Sequence, residues 1–330
     1  MIIIYYNGCP GRAICDVFIR LTTMNVLVLG AGAMGSHYGV KLMRAGADVT
    51  FLVRKKRAAS LRATGLRIES EVQSYAGPVD IVEDGVSLHR ADLILLTCKA
   101  FDLPGAMTAI APAVGEKTAI LPLLNGLGPY RELDAMFGRD RVLGGVAYVA
   151  LSLREDGVVQ QLGTSDRLFI GARTPALRSA AEDTLALLAK SPGECVLSDQ
   201  IDQQLWNKWV MLCAGAAVTS LMRSSIGEIL GTTYGRNVVQ AALDECLAVA
   251  RLEGFELQRD AIAQIEGMLL NPSSIWMASM ARDIEAGVAR LEADSIVGDM
   301  VARGMLHGLA CPTLQTAFTH LQAYLDRQQR

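Results

Sequence analysis

A lysine lies within an apolar segment, where it could act as a proton donor. Lys208 stands in LWNKWVMLCAGAAVTSL, an otherwise apolar predicted helix. Such a lysine either extends along the apolar surface to reach water or occupies a desolvated cleft. In a cleft, burial disfavours the charged ammonium and brings the lysine pKa towards neutrality, which suits proton donation. From this segment alone, extension to water is the favoured interpretation.

Three glycines near the N-terminus have the spacing of a phosphate-binding turn. Gly30, Gly32 and Gly35 follow residues 26–29, a branched apolar run typical of a strand buried on both faces. The first glycine permits a tight turn, the second lets a pyrophosphate approach the backbone, and the third lets helix and strand pack closely. A predicted helix, Ala33–Arg44, would direct its free amides at the phosphates. This context favours a dinucleotide site over incidental glycines, with contacts from Gly30, Ala31, Gly32, Ala33, Met34 and Gly35.

A basic cluster follows the second predicted strand, Asp48–Val53. It consists of Arg54, Lys55, Lys56 and Arg57. An NAD-preferring site usually carries Asp or Glu at this point to hold the ribose 2'-hydroxyl. A guanidinium instead pairs with a 2'-phosphate and can stack on adenine. The alternative is a solvated basic surface, but the position favours NADP(H), with Arg54 as the first candidate.

Polar residues follow two further predicted strands. Residues 91–97 lead to Lys99, and residues 118–124 lead to Asn125. Taken singly, Lys99 could be an exposed loop lysine and Asn125 a turn former beside Gly126. Ligands of open parallel sheets lie outside the carboxyl ends of the strands, so the shared location favours a place where cofactor and substrate meet.

The order of the elements predicts an α/β protein with two domains. Strand signals at residues 142–149 and 167–170 flank a hairpin turn at Asp156-Gly157. A helix at residues 175–188 precedes a Ser191-Pro192-Gly193 break, a candidate boundary. We predict an NADP-binding Rossmann domain with a doubly wound parallel sheet over residues 24–198, and an all-helical substrate and catalytic domain over residues 199–330. The helices predicted there are residues 203–220, 235–253, 260–268, 274–286, 295–308 and 313–327.

Length and composition limit the class of protein. The 330 residues, 51% hydrophobic and 20% charged with a net charge of −3, describe a soluble globular protein without a nucleic-acid surface. No apolar run reaches the roughly 18 to 20 residues that span a bilayer. Seven cysteines without C-x-x-C pairs favour reduced thiols, so we predict a cytoplasmic protein. The four histidines lack metal-ligand spacing, and we predict no metal site.

The first 23 residues fit neither domain. They lack a basic start and carry Gly-Cys-Pro-Gly, which suits a signal peptide poorly. The nucleotide-binding strand begins just after Met24. We interpret residues 1–23 as an upstream extension, such as a misassigned start codon would produce, and assign them no function.

Several motifs, in the same order, resemble those of the ketopantoate reductase (2-dehydropantoate 2-reductase) family. They are MNVLVLGAGAMG, TCKAFD, LLNGLG, LWNKW, and ASMARDIEAG followed by LEAD. The resemblance covers nearly everything from Met24 onward. It implies NADPH-dependent reduction of a 2-oxo acid to a 2-hydroxy acid, with ketopantoate as the family substrate.

The resemblance also implies the roles of individual residues. Lys208 takes the place of the catalytic general acid, and Glu292 that of the active-site acidic residue near nicotinamide and substrate. The spacing before Glu292 is one residue longer than usual, so Asp294 is the alternative. The remaining implied contacts are Asn125 with cofactor and substrate, Ser279 with the substrate's polar end, Lys99 with the cofactor, and Arg54 with the 2'-phosphate.

Three departures from the family pattern concern substrate binding. Leu212, Ala216 and Ile226 replace asparagines that hold the substrate in the authentic enzymes. Each unmet buried polar group costs about 1 to 3 kcal/mol, so ketopantoate would be poorly paired. Arg223 could bind a carboxylate instead or be a surface residue. The chemistry is predicted to be retained and the pocket altered.

Three functional hypotheses therefore remain. The first is the reductase of ketopantoate, and the second is a family paralogue that reduces a more apolar 2-oxo acid or carbonyl compound. The third is a non-catalytic NADP(H)-binding sensor, which the presence of both Lys208 and Glu292 disfavours because a binder needs neither. The predicted partner is a small-molecule 2-oxo acid, with neither nucleic acid nor membrane, and the helical domain offers surfaces for a homodimer.

Overall fold

The structure, a computed structural model, describes residues 23–328. Of the predicted extension, residues 1–23, all but Thr23 lie outside the described residues. The strands are β1 (Asn25–Leu29), β2 (Asp48–Val53), β3 (Leu66–Glu69), β4 (Tyr75–Gly77), β5 (Asp80–Glu83), β6 (Leu93–Leu96), β7 (Ala119–Pro122), β8 (Gly144–Leu153), β9 (Val159–Gly171) and β10 (Glu194–Leu197). The helices are α1 (Ala33–Arg44), α2 (Lys55–Thr64), α3 (Leu103–Ile110), α4 (Gly128–Phe137), α5 (Arg178–Leu188), α6 (Ile201–Met222), α7 (Ile226–Leu230), α8 (Gly235–Leu252), α9 (Arg259–Leu269), α10 (Ser279–Glu285), α11 (Asp299–Leu306) and α12 (Pro312–Gln328).

The first sheet is parallel and has the order β5-β2-β1-β6-β7. Its central strands are almost wholly buried and apolar, because helices cover both faces of such a sheet. Leu29 pairs with Leu52 on one side and Leu96 on the other, so the strands end at a common edge. The chain turns from one half of the sheet to the other between β1 and β6, which is the usual ligand position in this architecture. The predicted fold class is thus confirmed.

A second sheet, unforeseen as a separate layer, is built on the long strand β9. Strands β8 and β9 form the predicted hairpin, and Gly157 turns between them with φ +80°. Strand β10 pairs in parallel with β9. The Ser191-Pro192-Gly193 break therefore lies inside the sheet-bearing part of the chain rather than at its end. The predicted division at residue 198 stays a prediction.

Helices dominate after β10, and α6 is the central one. It packs against α8, α10 and α12, and its residues from Trp209 to Ser220 are buried without interruption. Among the described residues no strand follows Leu197. The apolar composition around Lys208 follows from this position, because a helix surrounded by others is hydrophobic on all sides.

The predicted helix at residues 274–286 is wrong in its first part. Helix α10 begins only at Ser279, since the preceding segment pairs with the start of α7 instead. The Ile226 amide donates to the Trp276 carbonyl at 3.0 Å, and the Gly227 amide to the Ser274 carbonyl at 2.8 Å. The predicted helix at residues 295–308 contains a π-helical turn, Asp294–Gly298, before α11. Within residues 23–328, no helix combines the length and apolarity needed to cross a membrane.

Candidate active site

The glycine turn has the geometry that a pyrophosphate requires. Gly30 adopts φ +91°, and a Cβ on Gly35 would lie 2.0 Å from the Gly30 carbonyl oxygen, so both positions demand glycine. A Cβ on Gly32 would meet no protein atom within 4 Å, so this side of the turn is open to a ligand. The first bond of α1 runs from the Ser36 amide to the Gly32 carbonyl at 2.9 Å. The three preceding amides therefore point out of the helix end, where they fit phosphate oxygens.

The two arginines of the basic cluster, Arg54 and Arg57, have different surroundings. Arg54 is exposed over 74% of its side chain, and its Nη2 lies 3.3 Å from Oδ1 of Asp102. Arg57 instead folds under the glycine turn, where Nε donates to the Ala31 carbonyl at 3.0 Å and Nη1 to the Gly157 carbonyl at 3.3 Å. Burial lowers the pKa of Arg57. Arg54 is thus the exposed arginine of the two, while Arg57 supports the turn, a role that the sequence did not indicate.

A buried carboxylate joins the helical region to the end of β6. Glu292 is only 5% exposed in its side chain, and it accepts from Lys99 Nζ at 3.2 Å and from the Ala100 amide at 3.1 Å. Asp283, which sequence reasoning missed, lies 3.5 Å from the same lysine nitrogen. Burial alone would lower the pKa of Lys99, but these two carboxylates outweigh it and raise the pKa. Asp294 is exposed, so the geometry favours Glu292 as the active-site carboxylate.

Lys208 lies half-buried on α6. It forms no ion pair within 4 Å in the described part of the chain. Burial lowers the pKa of its ammonium to about 8, and the negative charge of Glu292 opposes that shift. A lysine with this pKa is still mostly protonated at neutral pH and gives up its proton more readily than an ordinary lysine. The position therefore suits a proton donor better than extension to water would.

Asn125 and Ser279 belong to segments that adjoin the π-helical turn and Asp283, respectively. The turn at Asn125 is pressed against the π-helical turn, because a Cβ on Gly126 would lie 2.3 Å from the Ser295 carbonyl oxygen. Ser279 opens α10 four residues before Asp283, on the same helix face. Both side chains are half-buried, and neither makes a hydrogen bond within residues 23–328. Their polar groups remain available to a ligand.

The three positions that depart from the family pattern are apolar and buried. Leu212 is 8% exposed, and Ala216 and Ile226 are fully buried. Between the first two, Gly215 packs on the Trp276 ring, since a Cβ there would lie 2.5 Å from the ring. Side chains of the helical core therefore stand where the family pattern has amides.

Arg223 is a surface residue rather than part of this site. It ends α6 in the left-handed region with φ +54° and is exposed. Fifteen residues of helix separate it from Lys208, which is about 22 Å along the axis at 1.5 Å per residue. A small acid held at Lys208 is out of its reach. The structure thus favours the alternative that Arg223 is a surface residue.

The parallel sheet, the glycine turn, and the buried Glu292 beside Lys99 at the end of β6 define a dinucleotide-binding oxidoreductase. Models of the family described as Ketopantoate reductase PanE/ApbA match residues 26–175, and those of its C-terminal part match residues 200–325. The chain belongs to this ketopantoate reductase family.

Individual relatives agree on the family and differ in name. The chain is 31% identical to the uncharacterized oxidoreductase YkpB of Bacillus subtilis over 91% of this chain and 99% of the relative. A PanE/ApbA family ketopantoate reductase structure from Ralstonia eutropha superimposes with a TM-score of 0.83 at 29% identity, covering 93% of this chain and all of that one. A D-mandelate dehydrogenase structure with NADH and anilino(oxo)acetate has a TM-score of 0.84 at 23% identity over 93% and 100% of the chains, which shows a common fold.

Proposed function

We propose that the chain reduces a 2-oxo acid to the 2-hydroxy acid with NADPH. The observation that carries the proposal is Lys208, whose pKa is lowered to about 8 by burial and which lies in the field of Glu292, a buried carboxylate bonded to Lys99 at the end of β6. When bound, NADPH supplies a hydride to the carbonyl carbon. Lys208 Nζ donates a proton to the carbonyl oxygen, so the C=O bond becomes CH–OH and the lysine is left neutral until it regains a proton from water.

The neighbouring residues hold the acid and the lysine's charge in place. The Glu292 carboxylate stabilises the Lys208 ammonium before transfer, and its bonds to Lys99 and the Ala100 amide fix its orientation. Asn125 and Ser279 offer free polar groups to the substrate carbonyl and carboxylate. A non-catalytic NADP(H) sensor would need neither the lysine nor the carboxylate, which disfavours that hypothesis.

Two substrates have separate support. Ketopantoate, reduced to pantoate as in pantothenate biosynthesis, is supported by the family to which the chain belongs. A more apolar 2-oxo acid is supported by the buried Leu212, Ala216 and Ile226, which cannot pair the hydroxyl and carboxylate of ketopantoate. Cytoplasmic location and a homodimer are further proposals, carried by composition and by the helical surfaces.

A substrate panel distinguishes these possibilities. NADPH oxidation is measured with the purified chain and ketopantoate, branched 2-oxo acids and aromatic 2-oxo acids. Efficient turnover of ketopantoate would establish the first candidate. Turnover of only the apolar acids would establish the second. NADPH binding without turnover of any acid would contradict the reductase and favour the sensor.

Arg54→Gln is expected to weaken NADPH binding by about 10- to 100-fold and NADH binding hardly at all. The reason is that a guanidinium bond to a phosphate contributes about 1.5 to 3 kcal/mol, and only NADPH carries the 2'-phosphate. Dissociation constants for both dinucleotides are measured by fluorescence titration. Lys117→Gln, at an exposed lysine outside the basic cluster, is the matched control. Equal losses for the two dinucleotides would remove Arg54 as the selector.

A further inference from the structure

Two segments far apart in sequence lie side by side at the edge of the sheet. One is the turn after β6, residues 99–102, and the other is the connection between α10 and the π-helical turn, residues 286–292. Arg290 holds the first turn by three contacts: Nη2 donates to the Phe101 carbonyl at 3.1 Å, Nη1 to Asp102 Oδ1 at 3.1 Å, and the guanidinium lies 4.0 Å from the Phe101 ring centroid.

Glu292 comes two residues after Arg290 and contacts the same turn. Glu292 bonds Lys99 and the Ala100 amide, and Arg290 bonds Phe101 and Asp102, so the two residues hold adjacent parts of one turn. Leu291, between them, is buried at 5% exposure. The position of the Glu292 carboxylate is therefore coupled to the anchoring of Arg290.

Asp102 connects this anchor to the candidate 2'-phosphate site. Its Oδ1 accepts from Arg290 and also lies 3.3 Å from Nη2 of Arg54. Both arginine side chains are more than half exposed, so each pair is weak and can be exchanged. Asp102 carries one negative charge and the two arginines carry two positive charges, so the group has a net positive charge that attracts a second anion.

We propose that Arg290 is a positioning residue that links the cofactor's 2'-phosphate to Glu292. A phosphate bound to Arg54 replaces Asp102 there, and Asp102 then pairs with Arg290 alone. The tighter Arg290 pair fixes residues 286–292 and holds Glu292 against Lys99 and the Ala100 amide. The proposal rests on the NADP(H) preference proposed above, and it adds that the 2'-phosphate improves the site as well as the affinity.

The test uses hydrogen–deuterium exchange of the full chain, which does not depend on turnover. The probes are adenosine 2',5'-bisphosphate, which carries the 2'-phosphate without nicotinamide, and 5'-AMP, which lacks it. In the wild type, the bisphosphate is expected to slow exchange in residues 286–292 at least threefold more than saturating 5'-AMP does. Arg290→Gln and Asp102→Asn are expected to lose this difference while keeping protection around Arg54.

Arg139→Gln is the matched control. Arg139 and Arg173 share Asp202 at 2.9 and 3.3 Å, in the way that Arg290 and Arg54 share Asp102, but at another place between sheet and helices. This variant is expected to keep the wild-type difference. In turnover, Arg290→Gln is expected to reduce the ratio of kcat with NADPH to kcat with NADH, and Arg290→Lys to restore part of it.

The outcomes separate this linkage from the proposed function. Protection at Arg54 by the bisphosphate without a change at residues 286–292 would overturn the linkage alone. The same change in Arg290→Gln as in the wild type would also overturn it. No protection at Arg54 would overturn both the linkage and the NADP(H) preference, while the substrate panel would still test the reductase with NADH.

Discussion

Lys208→Ala is expected to lower kcat by about 10²- to 10⁴-fold and to leave NADPH binding nearly unchanged. General acid catalysis contributes a factor of this size, and Lys208 combines burial with a pKa lowered to about 8. The dinucleotide turn is formed by α1 and β1, so loss of the lysine does not disturb it. The measurements are kcat by NADPH oxidation and the NADPH dissociation constant by fluorescence titration.

The wild-type pH profile gives a second readout of the same residue. The protonated ammonium is the active form, so kcat is expected to fall as pH rises through about 8, the pKa of Lys208. Lys190→Ala, at an exposed lysine, is the control and should retain both kcat and the pH profile. Lost cofactor affinity with normal turnover in Lys208→Ala would contradict the role of proton donor.

Local patterns sufficed to predict the elements around the glycine turn. The glycine turn, α1 and β2 are consecutive, and each of their requirements is visible in the order of residue types. The polar ends of β6 and β7 could be predicted as site residues because parallel strands end at one edge. The family resemblance added Glu292 and Ser279 as candidates, since their own surroundings in sequence indicate only ordinary helix and loop positions.

The rest of the site depends on contacts between distant segments. Ala100 and Glu292 are 192 residues apart, and Arg290 and Asp102 are 188 apart. Charged residues in loops are usually solvated, so nothing local distinguishes Arg290 or Asp102 from their neighbours. Asp283 could have been found from its i+4 spacing to Ser279, which places both on one face of a short helix. Leu212 and Ala216 are likewise buried because other helices surround α6, which the residue types at these two positions do not show.

Several elements were missed for a related reason. Helices α3 and α4 begin within four residues of Lys99 and Asn125 and are short, so their amphipathic pattern covers only two to three turns. Strands β4, β5 and β10 have three or four residues each and lack the fully buried apolar run that marks the equally short β6 and β7. These elements complete the two sheets, and none of the candidate site residues lies on them.

Glu292→Gln is expected to lower kcat at neutral pH by about 10- to 100-fold and to move the alkaline limb of the pH profile to lower pH. The carboxylate raises the pKa of Lys208 against the effect of burial, so a neutral amide lets that pKa fall below about 8. The fraction of protonated Lys208 then decreases at a given alkaline pH, and activity is lost earlier as pH rises. The amide oxygen can still accept from the Ala100 amide, which preserves the position of the segment.

The matched control is Glu285→Gln, which neutralises an exposed carboxylate at the end of α10. This variant should keep the wild-type alkaline limb of the pH profile. Within residues 23–328, Glu285 forms no hydrogen bond or ion pair with Lys208 or Lys99. A fall in the kcat of Glu292→Gln without a shift of the alkaline limb would mean that Glu292 orients the substrate but does not set the charge of Lys208. An unchanged kcat in Glu292→Gln would contradict any active-site role, and Asp283, the other carboxylate at Lys99, would then be the group to replace.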